Sequence, residues 1–217
     1  MGIRHGRLLW VLLSILALAA ISAEAPADKS ALPSFGRDTV LVWKVNNVSY
    51  DYSLVVRIAE FFPDRFLEWE DTQSQGTIFM PNRDLLSARG FVNSNLFKSG
   101  QDVRGKDATT LWLSQQIFRD LKEKKKIKWT LDGVTGVLSY SGDDQLEVEV
   151  NRSPRILPVI KVKDDRESER WFLDQEDNPL LLRLRVRNYD QVLASITTDK
   201  ANTLRWIKGK KLENPPK

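Results

Sequence analysis

Between Lys126 and Thr197 the chain alternates apolar and polar residues with a period of two, and this alternation constrains the fold more than any other feature. Ile127, Trp129 and Leu131 alternate with Lys126, Lys128 and Thr130; Leu146, Val148 and Val150 alternate with Glu147 and Glu149; Leu182, Leu184 and Val186 alternate with Arg183, Arg185 and Arg187. Successive side chains of a strand point to opposite faces, so these runs present one apolar and one charged face, as an antiparallel sheet does when one side covers a core. Turn residues separate them: Asp132-Gly133, which favours a type I′ hairpin, then Ser141-Gly142-Asp143-Asp144, Asn151 to Pro154, and Asp177-Asn178-Pro179. The pattern predicts a meander of strands at 126–131, 134–140, 145–150, 156–163, 169–174, 180–187 and 191–197. Glu147 and Glu149 precede a strand bearing Lys161 and Lys163, so neighbouring strands can set opposite charges side by side on the solvated face.

The first half is more mixed. Thr39 to Val45, Tyr50 to Ile58, Arg65 to Glu70 and Gly76 to Met80 read as strands, broken by Asn46-Asn47 and Pro63-Asp64. Two short helices follow, one over Arg83 to Arg89 with Asn82 as cap and Gly90 as stop. The other covers Gln115 to Lys124 behind Ser114, with Ile117, Phe118 and Leu121 on one face. The expected fold class is mainly β (α+β): a curved antiparallel meander sheet or open barrel with one or two short helices packed against it.

At the N-terminus, Arg4 and Arg7 precede the apolar run Leu8 to Ile21 and the small-residue stretch Ser22 to Ala27. That order predicts a secretory signal over residues 1–25. The run is shorter than the roughly 20 residues of a comfortable membrane span. Pro26 disfavours cleavage after Ala25, which leaves cleavage after Ala23 or Ala27, or retention as a membrane anchor. The expected location is therefore periplasmic or extracellular. Residues 26–38 read as a Pro-, Ser- and Ala-rich linker, 39–207 as one β-rich domain, and 208–217 as a disordered basic tail.

The chain has no cysteine, so its stability is expected to come from an ordinary core, and its single histidine, His5, lies in the signal. Ser-His-Asp triads, Cys-His pairs, the usual zinc sites and ordinary haem ligation are thereby excluded from the remaining chain, and no cofactor or metal site is expected. Without Arg4, Arg7 and Glu24 there are 31 basic and 28 acidic residues, a net charge of +3. These charges are mixed along the chain, so no nucleic-acid partner is expected. The densest basic run, Lys122 to Lys128, falls at a helix end and suits the helix dipole; the alternative is a patch for an anionic surface.

Three motifs bear on chemistry. Gly100 to Asp107, GQDVRGKD, matches a phosphate-binding loop through Lys106, but Asp107 replaces the magnesium-binding hydroxyl and no buried strand precedes it. The surrounding polar stretch, Val92 to Thr110, is the candidate gating loop. Asp174, Glu176 and Asp177 lie beside Asn178-Pro179, where a hairpin turn accounts for them better than a metal site: the calcium-loop glycine and distal glutamate are missing. Glu68, Glu70 and Asp71 beside Trp69 are the candidates for carboxylate catalysis on a glycan. Among the tryptophans after the signal (Trp43, Trp69, Trp112, Trp129, Trp171, Trp206), Trp112, Trp129 and Trp171 are the candidate ligand-binding residues; the competing explanation is core packing. Asn47-Val48-Ser49 and Asn151-Arg152-Ser153 fit the N-glycosylation pattern, which is common by chance.

The stretch Phe172 to Leu184, FLDQEDNPLLLRL, with the preceding Leu111 to Gly133, resembles a group of uncharacterised exported bacterial proteins that share a strand, D-N-P-L turn, strand motif. More remotely, an exported antiparallel sheet with helices against it resembles the open-barrel lipoprotein carriers of the bacterial envelope. That resemblance implies an exported, non-catalytic envelope protein holding an apolar ligand, a lipid or a lipidated protein partner in the concave face of its sheet. A carboxylate-dependent glycan hydrolase and a purely structural or interaction protein are the alternatives.

Overall fold

The computed structural model describes residues 32–93 and 96–198. The predicted signal, the basic tail and Trp206 lie outside the described residues. The fold is mainly β, with a curved sheet and two short helices. In chain order the elements are β1 (Val40–Asn47), β2 (Asp51–Glu60), β3 (Arg65–Glu70), β4 (Gln75–Met80), α1 (Asn82–Ser87), β5 (Gly90–Phe91), β6 (Asp102–Arg104), β7 (Ala108–Thr109), α2 (Gln115–Lys124), β8 (Lys126–Leu131), β9 (Val134–Val150), β10 (Ser153–Asp164), β11 (Glu169–Leu173), β12 (Leu181–Val186) and β13 (Tyr189–Thr197).

The strands form one sheet in the order β6-β4-β3-β2-β1-β13-β12-β11-β10-β9-β8-β5-β7. From β8 to β13 the antiparallel neighbours follow the chain, which is the expected meander. The sheet also closes on itself. Beyond the end of β12, β13 pairs in parallel with β9 through Ser195–Glu149 and Ile196–Val150, so β9 to β13 form a ring of five paired strands. Two hairpins carry the turn chemistry expected of them. Asp132 (φ 49°) and Gly133 (φ 81°) join Leu131 to Val134, and Asn151 (φ 50°) and Arg152 (φ 67°) join Val150 to Ser153. Positive φ at both central residues gives the twist that an antiparallel pair needs.

The predicted reversal at Ser141 to Asp144 is not a reversal. β9 runs through it as one strand of 17 residues because β10 pairs along most of its length. Lys161 faces Gly142 and Val162 faces Tyr140, which leaves Ser141 as the extra residue of a bulge, with Gly142 at φ +136°. The same Gly and Asp residues serve a turn or a bulge, and the length of the partner strand decides between them. Asn82 is also not a cap. It is the first residue of α1, its amide donates to Asp64 Oδ1 at 2.7 Å, and Pro81 holds the cap position. The cap of α2 is as predicted: Ser114 Oγ accepts from the Ile117 amide, and Ile117, Phe118 and Leu121 are buried.

A single large core joins both halves, from Leu41, Trp43 and Val45 of β1 to Phe172 of β11 and Leu193 of β13. The tract predicted as linker joins this body from Leu32: Leu32 and Phe35 pack on the core, and Asp38 pairs with Arg57 at 2.9 Å. The long polar stretch 92–110 is pinned at its centre, because β6 pairs in parallel with β4 and β7 with β5.

Candidate ligand-binding groove

Pro63 and Asp64 turn the chain between β2 and β3, and Arg65 is the first residue of β3. In a strand, Arg65 shares its face with Leu67 and Trp69, both in the core, so the alternation directs a guanidinium inward. Arg65 is 5% exposed. Its guanidinium lies 4.8 Å from the ring centre of Phe61 and 4.5 Å from that of Trp112. Nη2 donates to Asn178 Oδ1 at 3.2 Å and to the Asp177 carbonyl at 3.4 Å, while Nε is buried without a hydrogen-bond partner. Among the described residues no carboxylate oxygen comes within 4.0 Å of it. Desolvation by burial lowers its pKa to about 9, so Arg65 stays a cation at neutral pH.

Arg65 lies at the wall of a groove of about 470 Å³. Phe61, Phe62 and Pro63 form one side, Leu85 and Leu86 of α1 a second, and Leu113 and Pro179 a third, with Asn82, Gln115 and Asp177 at the polar margin. Phe62 is 81% exposed and Leu86 42%. An apolar channel with a few convergent polar groups is the usual form of a small-molecule site.

The turn that begins Asp174-Gln175-Glu176-Asp177 lines this groove with Asp177 and Pro179, and it is tied to Arg65 through Asn178. Asn178 is buried, and its Oδ1 accepts from Trp112 Nε1 at 2.7 Å as well as from Arg65. The acids around it are spread apart by basic partners: Asp174 pairs with Lys122 at 3.0 Å and Glu176 with Arg119 at 2.8 Å. Among the described residues no group of three or more acids, histidines or cysteines is placed to hold a metal ion. The basic run is likewise shared with acids, since Lys122 also reaches Asp143 at 3.2 Å and Lys124 reaches Asp120 at 2.8 Å.

The three candidate tryptophans do not converge. Trp112 is fully buried behind Arg65. Trp129 is 2% exposed, stacks at 6.0 Å on Phe91 and has Arg170 over its ring at 5.2 Å. Trp171 lies on the charged side of the sheet, in register with Lys161 and Arg183. There Lys161, Arg183 and Arg185 cover its ring at 4.8, 5.4 and 5.6 Å. The candidate catalytic acids are separated from their tryptophan by strand alternation, which sends Glu68 and Glu70 to the face opposite Trp69. Glu68 pairs with Arg57 at 2.5 Å, Asp71 accepts from the amides of Gln73 and Ser74, and Trp69 is buried edge-on to Phe97. Arg104 of the phosphate-loop-like segment stacks on Phe79, within the edge strand β6.

Sequence reasoning missed Arg65 and the second role of Asn178. One signal for Arg65 is present in the sequence, a cation at an inward position of a strand one residue beyond Phe61-Phe62-Pro63. Comparison of the chain with protein-family models, curated proteins and solved structures gave no match.

Proposed function

We propose that this chain is an exported, non-catalytic envelope protein that binds an apolar ligand or a lipidated partner, and that it does so in the groove beside Arg65. The observation that carries the reading is the groove itself, an apolar channel whose rim keeps Phe62 and Leu86 in water. Exposed large apolar side chains at the mouth of a cavity lower the free energy of the bound state more than that of the free one. The groove is a better place for a ligand than the concave face because the rings of Trp112, Trp129 and Trp171 are covered by protein cations.

Native mass spectrometry of the full-length chain, purified from an envelope fraction, tests this before and after organic extraction. A lipid-sized adduct that extraction removes, and that Phe62→Ser with Leu86→Ser diminishes, is the expected result. A clean mass in both samples overturns it in favour of a structural or interaction role.

A further inference from the structure

We propose that the groove's ligand is a fatty monocarboxylate whose head group is received by Arg65; this rests on the preceding reading and adds the class of ligand. Three arginines are buried among the described residues: Arg57, Arg65 and Arg170. Arg57 is held by Asp38 and Glu68, and Arg170 by Asp164 at 2.8 Å. Arg65 has only neutral acceptors, the Asn178 amide oxygen and the Asp177 carbonyl. A buried cation ordinarily needs a counter-ion, because neutral hydrogen-bond acceptors do not restore the solvation it has lost. In the groove, that counter-ion is supplied by the ligand.

The geometry also limits which anion fits. The ring centres of Phe61 and Trp112 lie 4.8 and 4.5 Å from the guanidinium carbon, and the Nε donor has no partner; the donors of a guanidinium lie in its plane, which a planar carboxylate matches. One arginine balances one charge. Asp177 lines the groove, so a dianion such as a phosphate monoester meets a carboxylate and only one cation. The remaining lining from Phe62, Leu85, Leu86 and Leu113 takes an alkyl chain.

Isothermal titration of the full-length protein near pH 8 with dodecanoate, dodecanol and dodecyl phosphate tests the head group at constant chain length. Dodecanoate is expected to bind about ten-fold or more tighter than dodecanol, as one charge-assisted contact provides. Asn178→Asp supplies Arg65 with an internal carboxylate, preserves the acceptor for Trp112 and loses no hydrogen bond of Nδ2, which is buried without one. This variant is expected to bind the acid no better than the alcohol, as is Arg65→Met, with near-ultraviolet circular dichroism reporting the fold of each. Equal binding of acid and alcohol by the unaltered protein overturns the head-group assignment and leaves the apolar groove standing. Tightest binding of dodecyl phosphate overturns it in favour of a dianion. Binding of none of the three overturns both the head group and the groove.

Discussion

The indole Nε1 of Trp112 donates to Asn178 Oδ1 at 2.7 Å, and the same oxygen accepts from Arg65 at 3.2 Å. One amide thus ties the segment before α2 and the start of β3 to the turn between β11 and β12. All three groups are buried, so the loss of this acceptor leaves the Trp112 donor desolvated and unpaired, and leaves Arg65 Nη2 with only its 3.4 Å contact to the Asp177 carbonyl. Asn178→Ala is expected to lower the stability to urea by about 1–3 kcal/mol, the range for one orphaned buried donor. Asn178→Asp is expected to stay much closer to the unaltered protein. An equal loss in the two variants would show that the site depends on a neutral amide and gains nothing from the acceptor oxygen alone.

Arg170 and Asp164 form a buried ion pair, with side chains 0% and 1% exposed. Asp164 also accepts from the amides of Arg166 and Ser168, so it fixes the β10–β11 turn and balances the cation at once. Arg170→Met strands a buried carboxylate and is expected to cost about 3–5 kcal/mol. Asp164→Asn keeps an oxygen for the turn, and adding it to Arg170→Met removes the stranded charge. The double variant should therefore be less destabilised than the sum of the singles in a urea-denaturation cycle. Additive losses would mean that the two charges do not interact.

The parts of the fold legible in the sequence are those with short-range causes. Alternation around Trp129 and Leu184 fixes which side of a strand is apolar, and Asp132-Gly133 and Ser114 act within a few residues of themselves. The bulge at Ser141 depends on β10 being long enough to pair straight through it. Closure of the ring at Ile196–Val150 depends on β13 outrunning β12. Neither length is encoded near the residue it affects. The groove has the same character, because Phe61, Leu86, Leu113 and Pro179 come from four separate segments. The Asn-Pro turn is legible from local chemistry, but the burial of the Asn178 amide against Arg65 depends on a residue 113 positions away.

Gly76 offers a test of close backbone approach. A Cβ placed there would stand 2.8 Å from the Lys98 carbonyl oxygen, 3.0 Å from Trp69 Nε1 and 3.1 Å from the Gln101 carbonyl oxygen. Two of the three obstacles are backbone, in the segment that carries β6 to the edge of β4, and they have little freedom to move. Gly76→Ala is expected to cost about 1–3 kcal/mol, as overpacking does. Gly36, where a Cβ meets nothing within 4 Å, is the control; Gly36→Ala is expected to change stability by less than about 0.5 kcal/mol in the same urea titration.

Asp120 gives the structure a defined acid sensitivity. Its carboxylate accepts from Lys124 at 2.8 Å, from Arg89 at 2.5 Å and from Gln116 at 3.2 Å. The Lys124 hydrogen bond, aided by those from Arg89 and Gln116, outweighs partial desolvation and lowers the pKa from its ordinary value of 3.8 to about 2. The folded state then binds the proton less readily than the unfolded chain does. The stabilisation is fully present above about pH 4 and is lost as the pH falls toward 2, a difference of at most roughly 2 kcal/mol for this group. Asp143 and Asp144 are depressed in the same direction, by Tyr140 and Lys122 for the first and by Trp171 and the Gln145 amide for the second. The informative quantity is therefore the difference between the unaltered protein and Asp120→Asn. The two should differ in urea stability at pH 6, and the gap should close as the pH is lowered from 4 to 2. A gap that is constant across that window would mean that Asp120 contributes through neutral hydrogen bonds alone.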